Sequence, residues 1–559
     1  MTVNDSVLDE QFTLVPSDDG HSGGDSGDGM DETKNRSDSD EGKQGDHIPS
    51  RIDDMKADLE RIFMLPDNKD IVVRPFTVGT EHPWRALLVF VDGMADKTII
   101  NNHILQPLML LSQALEEEPV NGRMEVVMET LLPGNQVNRT ATWQEVVPGI
   151  LAGSTGLFVD GCDEALVVES KGWEHRNVGL SQTETVVRGP HDAFTESFRA
   201  NTGLVRALFR SEHLVTEILE VGKLAKTDVA VMYVRGLTNK RLVGEIKRRI
   251  QAVDVDYLAD SGLLEQFLED DPHFLVPQIL STERPDRVAH MLSEGHVAVF
   301  VGNSPYVLTM PVVFWTLMHT PEDAYLKFPF GSFLRVIRWS ALLVALLLPA
   351  LYVAVTNYHP EMLPTDLMLS IAGSRELVPF PVIVEILLME FSIELIREAG
   401  IRVPSVIGPT IGIVGALIIG QAAVQAGIVS PMLVIVIATT ALASFVIPTY
   451  NLNFGIRLAR FAFLAASALF GFYGIALLAC MILVNLSVQR SFGVPLLAPI
   501  APALRASPDV LARGPGFVMN ERPAYLLTQH EWRQKPYTRP WSPVTRPKGV
   551  KLRRRRETK

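Results

Sequence analysis

Hydrophobic positions divide this chain of 559 residues into two regimes. Up to about residue 330 they come in short runs or periodic patterns broken by charge. After Phe333 they merge into long apolar stretches. In the first regime, Ile52 to Leu65 has the spacing of a short amphipathic helix. Arg85 to Val91 (RALLVFV) has the pattern of a buried strand closed by Asp92-Gly93. Helical spacing follows from Lys97 to Ala114, and Gly156 to Glu169 predicts a hairpin with Asp160-Gly161 in its turn. Thr195 to Val221 again has apolar and charged residues at helical spacing. The plan then recurs: a strand at Val229 to Val234, a helix at Lys240 to Ile250, and a hairpin at His296 to Pro311 with Gly302-Asn303 in its turn. Two α/β subdomains of related design are expected, with coincidence between common motifs as the alternative.

The second regime predicts membrane. Spanning hydrocarbon takes about 20 apolar residues. Trp339 to Val355 meets this with Arg335 and Arg338 just before it, and Pro349 should kink it. Ser405 to Ala426, Pro431 to Ile447 and Phe461 to Val488 are further candidate spans. Ser430-Pro431 is a natural helix start, a capping residue followed by proline at the first helical position. Between them, Pro379 to Gly420 holds Glu385, Glu390, Glu394 and Glu398. A carboxylate at the bilayer centre costs about 2.5 kcal/mol or more on insertion scales. Glu390, Glu394, Arg397 and Glu398 share one helix face. This is the pattern of an amphipathic helix that lies at an interface or lines a polar cavity. Arg335 and Arg338 place the soluble part on the cytoplasmic side, and the basic end of the chain wants the same side. An even number of crossings follows, which the glutamate helix satisfies best by not crossing. Arg457 and Arg460 then fall on the outer side, a cost to that topology.

Composition and charge sharpen this picture. The formal net charge is −13. Residues 1–50 carry about a dozen acidic residues against three basic ones, with few large apolar groups, and are expected to be disordered. The start MTVNDSVLDE lacks the basic and apolar regions of a signal peptide. Cys162 and Cys480 lie far apart, so no disulfide framework is expected. The expected division is an acidic tail at 1–50, subdomains at 51–220 and 221–332, a helical transmembrane domain at 333–490, and a basic cytoplasmic tail at 491–559.

Enzyme signatures are thin. There is no P-loop, no strand-linked GxGxxG and no HExxH. Gly24-Asp25-Ser26-Gly27 is similar to a serine-protease loop, but lacks strand context. The histidines are scattered without metal-ligand spacing, and Cys162 has no His nearby in sequence. No catalytic residue, metal, cofactor or nucleic acid is expected. Gly408, Gly412 and Gly415 suit close helix packing. Val436, Thr439, Thr440, Ala443 and Ile447 give one helix a small, hydroxyl-bearing face. Such a face lines a conduit or forms a helix–helix seam. Glu385, Glu390 and Glu394 are the acidic candidates for an ion path. The basic run Arg539 to Arg556 suits anionic headgroups or a topological anchor.

Several long motifs resemble the GerA spore-germination receptor A subunits, the GerABKA family. They are FPFGSFLRVIRWSALLVALLLPALYVAVTNYHPEMLP, PFPVIVEILLMEFSIELIREAGIRVP, VGALIIGQAAVQAGIVSPMLVIVIA and SFVIPTYNLNFGIRLARF in the apolar half. VVRGPHDAFTESFRANTGLVR, LSTERPDRVAHMLSEGHVAVFVGNSPYVLTMP and SFGVPLLAPIAP carry it elsewhere. The resemblance covers about 80 to 510. Gly302-Asn303 stands where that family usually has an Asp-Gly turn. The resemblance implies a membrane protein with an N-terminal soluble α/β domain of two related subdomains followed by an α-helical transmembrane domain. It implies a germinant-receptor subunit in the spore inner membrane. There it forms a homo-oligomeric ring, a pentamer, that passes monovalent cations beside a transporter-like B subunit and a lipoprotein C subunit. Alternatives are an accessory protein of the SpoVAF type, a secondary transporter, and a scaffold without conduction.

Overall fold

The computed structural model describes residues 47–79, 83–110, 123–132, 136–172, 181–402, 420–504 and 509–534. The acidic head before His47 and the basic run Arg539 to Arg556 lie outside these residues. So do Gly408, Gly412 and Gly415.

Helix α1 (Ile52–Ile62) leads into strands β1 (Ile71–Val78) and β2 (Trp84–Val91). Helical backbone then runs from Lys97 to Leu110, with a wider-turned middle at Ile100–Leu105. β3 (Val137–Thr140), α2 (Trp143–Leu151), β4 (Thr155–Val159) and β5 (Ala165–Val168) complete the unit. The strands form one antiparallel sheet in the order β1-β2-β4-β5-β3. Strand β2 is buried on both faces, and its period of two sorts its side chains between two layers. Leu88 and Phe90 pack on the helical segments Lys97–Leu110 and Arg123–Leu131, with Ile100, Ile104 and Val127. Leu87, Val89 and Val91 pack on α1 and α2 with Met55, Leu59 and Val146. Each such side chain contributes about 1.5–3 kcal/mol on burial.

α3 (Phe198–Leu208) opens the second unit, with β6 (Leu214–Val221), β7 (Thr227–Val234), α4 (Lys240–Ala252), α5 (Ser261–Leu268), β8 (Leu280–Thr282), α6 (Pro285–Glu294), β9 (Val297–Val301) and β10 (Val307–Met310). Its sheet order is β6-β7-β9-β10-β8, strand for strand the order of the first. Asn303 takes φ 66 in the β9–β10 turn, a conformation asparagine tolerates.

The helix expected over Thr195 to Val221 stops at Leu208. Leu214 to Val221 instead pairs with β7 over eight residues, so the second sheet begins before residue 221. LVTEILEV fits both periods. Its β-branched residues and the hydrogen-bond ladder decide for the strand.

The two sheets meet at Asp70, which is fully buried. It accepts hydrogen bonds from Arg206 Nε at 2.8 Å and Arg199 Nη1 at 3.1 Å, both from α3. Arg206 also donates to Asn68, the Leu214 carbonyl and Thr216. Gly93 and Gly203 let the backbones touch here: a Cβ on Gly203 would lie 2.5 Å from the Gly93 carbonyl oxygen.

The apolar half is a bundle of α7 (Phe328–Asn357), α8 (Thr365–Arg375), α9 (Val382–Arg402), α10 (Pro431–Phe445) and α11 (Tyr450–Val488). α7 and α11 are long and apolar enough to cross a membrane, and α10 is a shorter apolar helix. α7 starts well before Trp339, so Arg335 and Arg338 lie inside it. Both grip Asp323: Arg335 Nε donates at 3.0 Å, and Arg338 donates twice at 2.8 Å. Burial pushes the Asp323 carboxyl up, but Arg338 and Arg335 outweigh it and hold it below the usual carboxylate range.

The span expected at Phe461 to Val488 straddles a turn within a longer element. α11 reverses at Gly471, where φ is 59° and ψ −136°. Both of its feet stand on one loop of the second unit. Gly455 lies against the Leu275 carbonyl, and Gln489 donates to Asp271 at 2.8 Å and accepts from Gln278 at 3.1 Å. Only glycine takes that backbone freely, so a reversal inside an apolar run is easily read as one helix. After the second leg, Phe492, Val494 and Tyr525 join the core of the second sheet.

Two outcomes follow. Arg206→Met should lower unfolding stability by about 3–5 kcal/mol, because Asp70 loses its buried partner. Arg199→Met should cost far less, because Arg199 is half exposed; chemical denaturation of both variants checks this. Glu265 on α5 accepts from Asn451 of α11 at 3.4 Å. Burial, reinforced by Glu269, pushes its carboxyl up to about 8. A raised carboxylate favours the folded state most below its unfolded pKa of 4.5. That contribution is lost as pH rises through about 8. Glu265→Gln should flatten the fall in thermal midpoint across this window.

Candidate functional site

The four glutamates of α9 were expected at an interface or beside a polar cavity. The helix instead runs alongside α10 within the bundle. Glu385 Oε2 accepts from the Ser430 backbone N–H at 3.1 Å, at the start of α10. Fourteen residues later, Arg397 Nη2 donates to Ser444 at 3.0 Å. The parity argument for a helix that does not cross counted Phe461 to Val488 as one crossing, whereas α11 has two legs.

Glu385 is 2 % exposed and does two things. It satisfies a backbone donor at the α10 N-terminus, where a negative charge also meets the helix dipole favourably. It also lies 3.5 Å from Arg375 of α8.

Glu390 and Glu394 face α11. Glu390 is 1 % exposed, and its Oε2 lies 3.2 Å from Arg460 Nη2. Glu394 accepts from Arg457 Nε at 2.9 Å and lies 3.5 Å from Arg460 and 3.6 Å from Arg397. Arg397 also stacks over the Phe445 ring at 5.0 Å, and Arg457 over Phe454 at 4.6 Å. Two carboxylates and three guanidiniums from α9 and α11 thus form one cluster. Ser444 and Phe445 connect it to α10. Glu398 pairs instead with Arg402 on an exposed face.

The α10 candidates separate into two groups. Thr440, Ala443 and Ile447 are buried. Ala443 and Ile447 pack with Ala341 and Ala345 of α7 and with Leu317 and Met318 of the linking segment between β10 and α7. They form a seam within this chain. Val436 is half-buried and Thr439 is exposed, on the side that also shows Ile435 and Leu442. Thr439 and Thr440 each donate to the carbonyl four residues back, at 2.8 Å, so their polar atoms are satisfied within the helix.

Arg457 and Arg460, which entered the sequence reading only as a cost to one topology, complete the cluster. The signal was present: two arginines three apart in an apolar run, matched by glutamates four apart in another. Among the described residues, no group of three or more His, Cys, Asp or Glu is placed to hold a metal.

Removing one partner of a buried pair strands the other charge, at about 3–5 kcal/mol, whereas neutralising both is far milder. Arg460→Gln should therefore lower the thermal midpoint in detergent strongly. Glu390→Gln with Arg460→Gln should recover most of the loss, and a double-mutant cycle measures the coupling.

Comparison with known proteins places these features in context. The model described as Bacillus/Clostridium GerA spore germination protein matches residues 58–525. The chain is 37% identical over 476 residues to spore germination protein KA of Bacillus subtilis (strain 168), covering 85% of this chain and 86% of that protein. It is 39% identical over 472 residues to the membrane protein YfkQ of the same strain, covering 84% and 90%. With spore germination protein GerLA of Bacillus cereus it shares 36% identity over 466 residues, covering 83% and 94%. The crystal structure of the N-terminal domain of the A subunit of the Bacillus megaterium spore germinant receptor GerK3 aligns at 28% identity with a TM-score of 0.37, covering 48% of this chain and 97% of that one. With the family's pattern extending over most of its length, the chain belongs to the GerA family of Bacillus/Clostridium spore germination proteins.

Proposed function

We propose that this chain is a subunit of a nutrient germinant receptor in the spore inner membrane, where it triggers germination as a ring of copies that passes monovalent cations. A transporter-like B subunit and a lipoprotein C subunit complete the receptor. Family membership and the relatives named as spore germination proteins support the process. The two long apolar helices and the likeness to a membrane protein support the location.

One observation carries the mechanism: the Glu390–Glu394–Arg397–Arg457–Arg460 cluster buried among apolar helices. Ionisable residues are costly there and serve ion paths, relays or sensors. In the arrangement seen, both carboxylates are held by arginines, so neither is free to attract a cation. This is the closed form. Opening separates α9 from α11 and frees Glu390 and Glu394 to favour cations. The exposed side of α10, with Val436 and Thr439, then borders the path, while Thr440, Ala443 and Ile447 hold α10 to α7. Nutrient acts by binding the open complex more tightly than the closed one.

A scaffold without conduction is the second reading. The burial of Thr440, Ala443 and Ile447 as an internal seam favours it.

Reconstitution into bilayers with the partner subunits separates the two. The channel reading expects cation current, reduced several-fold by Thr439→Trp. It expects the double variant Glu390→Gln, Arg460→Gln to shift the open fraction. Bilayers silent under nutrient, together with normal ion release from spores carrying Thr439→Trp, would favour the scaffold and end the channel reading.

A further inference from the structure

A cavity of about 400 Å3 lies where three parts of the chain meet. Its walls come from α6, from the linking segment and Arg335 at the base of α7, and from Pro499 and the C-terminal segment 509–534. This is within the range of small-molecule sites. It is separate from the α9–α11 cluster and shares no residue with it.

The charges around it do not cancel. Asp286 is held by Arg284 at 2.8 Å, and Tyr325 donates to it at 2.7 Å. Asp509 accepts from Arg335 at 2.7 Å, and Glu294 from Arg533 at 3.1 Å. Arg287 donates to Glu184 at 2.9 Å. Every carboxylate in the lining thus has its arginine. Arg513 is the cation left over: its guanidinium has no hydrogen bond or ion pair among the described residues. Its place is nevertheless fixed. The Arg513 backbone N–H donates to Ser332 Oγ at 3.1 Å, and Ser332 Oγ–H donates back to the Arg513 carbonyl at 2.9 Å. Its stem lies 3.6 Å from where a Cβ on Gly331 of α7 would be. Burial pulls this guanidinium below its ordinary pKa, the mark of a cation partly withdrawn from water.

Trp315, Met519 and Tyr525 also line the cavity. Met519 and Tyr525 are buried, and the Trp315 indole is oriented by its Nε1–H bond to the Leu497 carbonyl at 3.3 Å. A planar guanidinium that shares a cavity with aromatic and thioether side chains matches one ligand class: a small organic molecule with one anionic group and an unsaturated or aromatic body.

We propose that this cavity is a binding site for a small organic anion, whose carboxylate or phosphate pairs with Arg513 while its body lies against Trp315 and Tyr525. The site goes beyond the channel reading and does not depend on it. Its occupant would touch the second α/β unit, the root of α7 and the C-terminal segment at once.

The test is calorimetric titration of the full chain in lipid nanodiscs with phenyl phosphate, benzoate and inorganic phosphate. Saturable binding of at least one aromatic anion, tighter than inorganic phosphate, is expected. Preference for phenyl phosphate assigns a phosphate monoester, and preference for benzoate a carboxylate. Arg513→Gln should weaken binding roughly tenfold to a hundredfold, the range for a charge-assisted hydrogen bond, and Arg513→Lys should restore part of it. Gly516 supplies an independent variant. Gly516 lines the cavity and a Cβ there meets nothing within 4 Å, so Gly516→Phe adds bulk at the cavity wall. It should abolish binding while the thermal midpoint stays put. Absence of saturable binding for both aromatic probes, or wild-type affinity in both Arg513→Gln and Gly516→Phe, overturns the proposal.

Discussion

A carboxylate removed from water needs cations within reach, and this chain meets that demand at each of its joints with two arginines from one helix. Asp70 joins the two sheets and is held by Arg199 and Arg206 of α3. Asp323 joins the second unit to the bundle and is held by Arg335 and Arg338 of α7. Glu390 and Glu394 join α9 to α11 and are held by Arg457 and Arg460. A guanidinium suits such joints because it offers five donors in a fixed fork and stays charged when buried. Ionic joints of this kind are specific more than they are stabilising, since desolvation offsets much of the attraction. What they fix is geometry: each sets the angle at which two otherwise apolar bodies meet.

Much of the soluble fold was legible in the sequence. RALLVFV and VAVMYV announced the central strands, and the two hairpins with their Asp160-Gly161 and Gly302-Asn303 turns announced the recurrence. Strands without an apolar run were not legible. Val137–Thr140 and Leu280–Thr282 are short, and only the ladder beside them makes them strands. LVTEILEV is compatible with either period until β7 is next to it.

The site was half legible. The glutamates of α9 stood out, because each is costly in an apolar stretch. Their partners did not, because Arg457 and Arg460 lie more than 60 residues away and the sequence does not show which helix faces which. Glu385 lies off the face that the other three share, and it has the simplest task, which is to accept from a backbone N–H that a helix start leaves unpaired. The Gly471 reversal was hidden for a related reason. A glycine in an apolar run signals close packing as readily as it signals a turn.

That reversal has a mechanical meaning. Both feet of α11 rest on residues 271–278, so the two legs form a two-pronged fork with a single pivot. A small tilt of the second α/β unit swings both prongs together and is magnified along their length. Arg457 and Arg460 are close to the pivot, where travel is short and force is high, while the tip at Gly471 moves furthest. In a lever arranged this way, any rotation of the second α/β unit would pull on the arginines that hold α9.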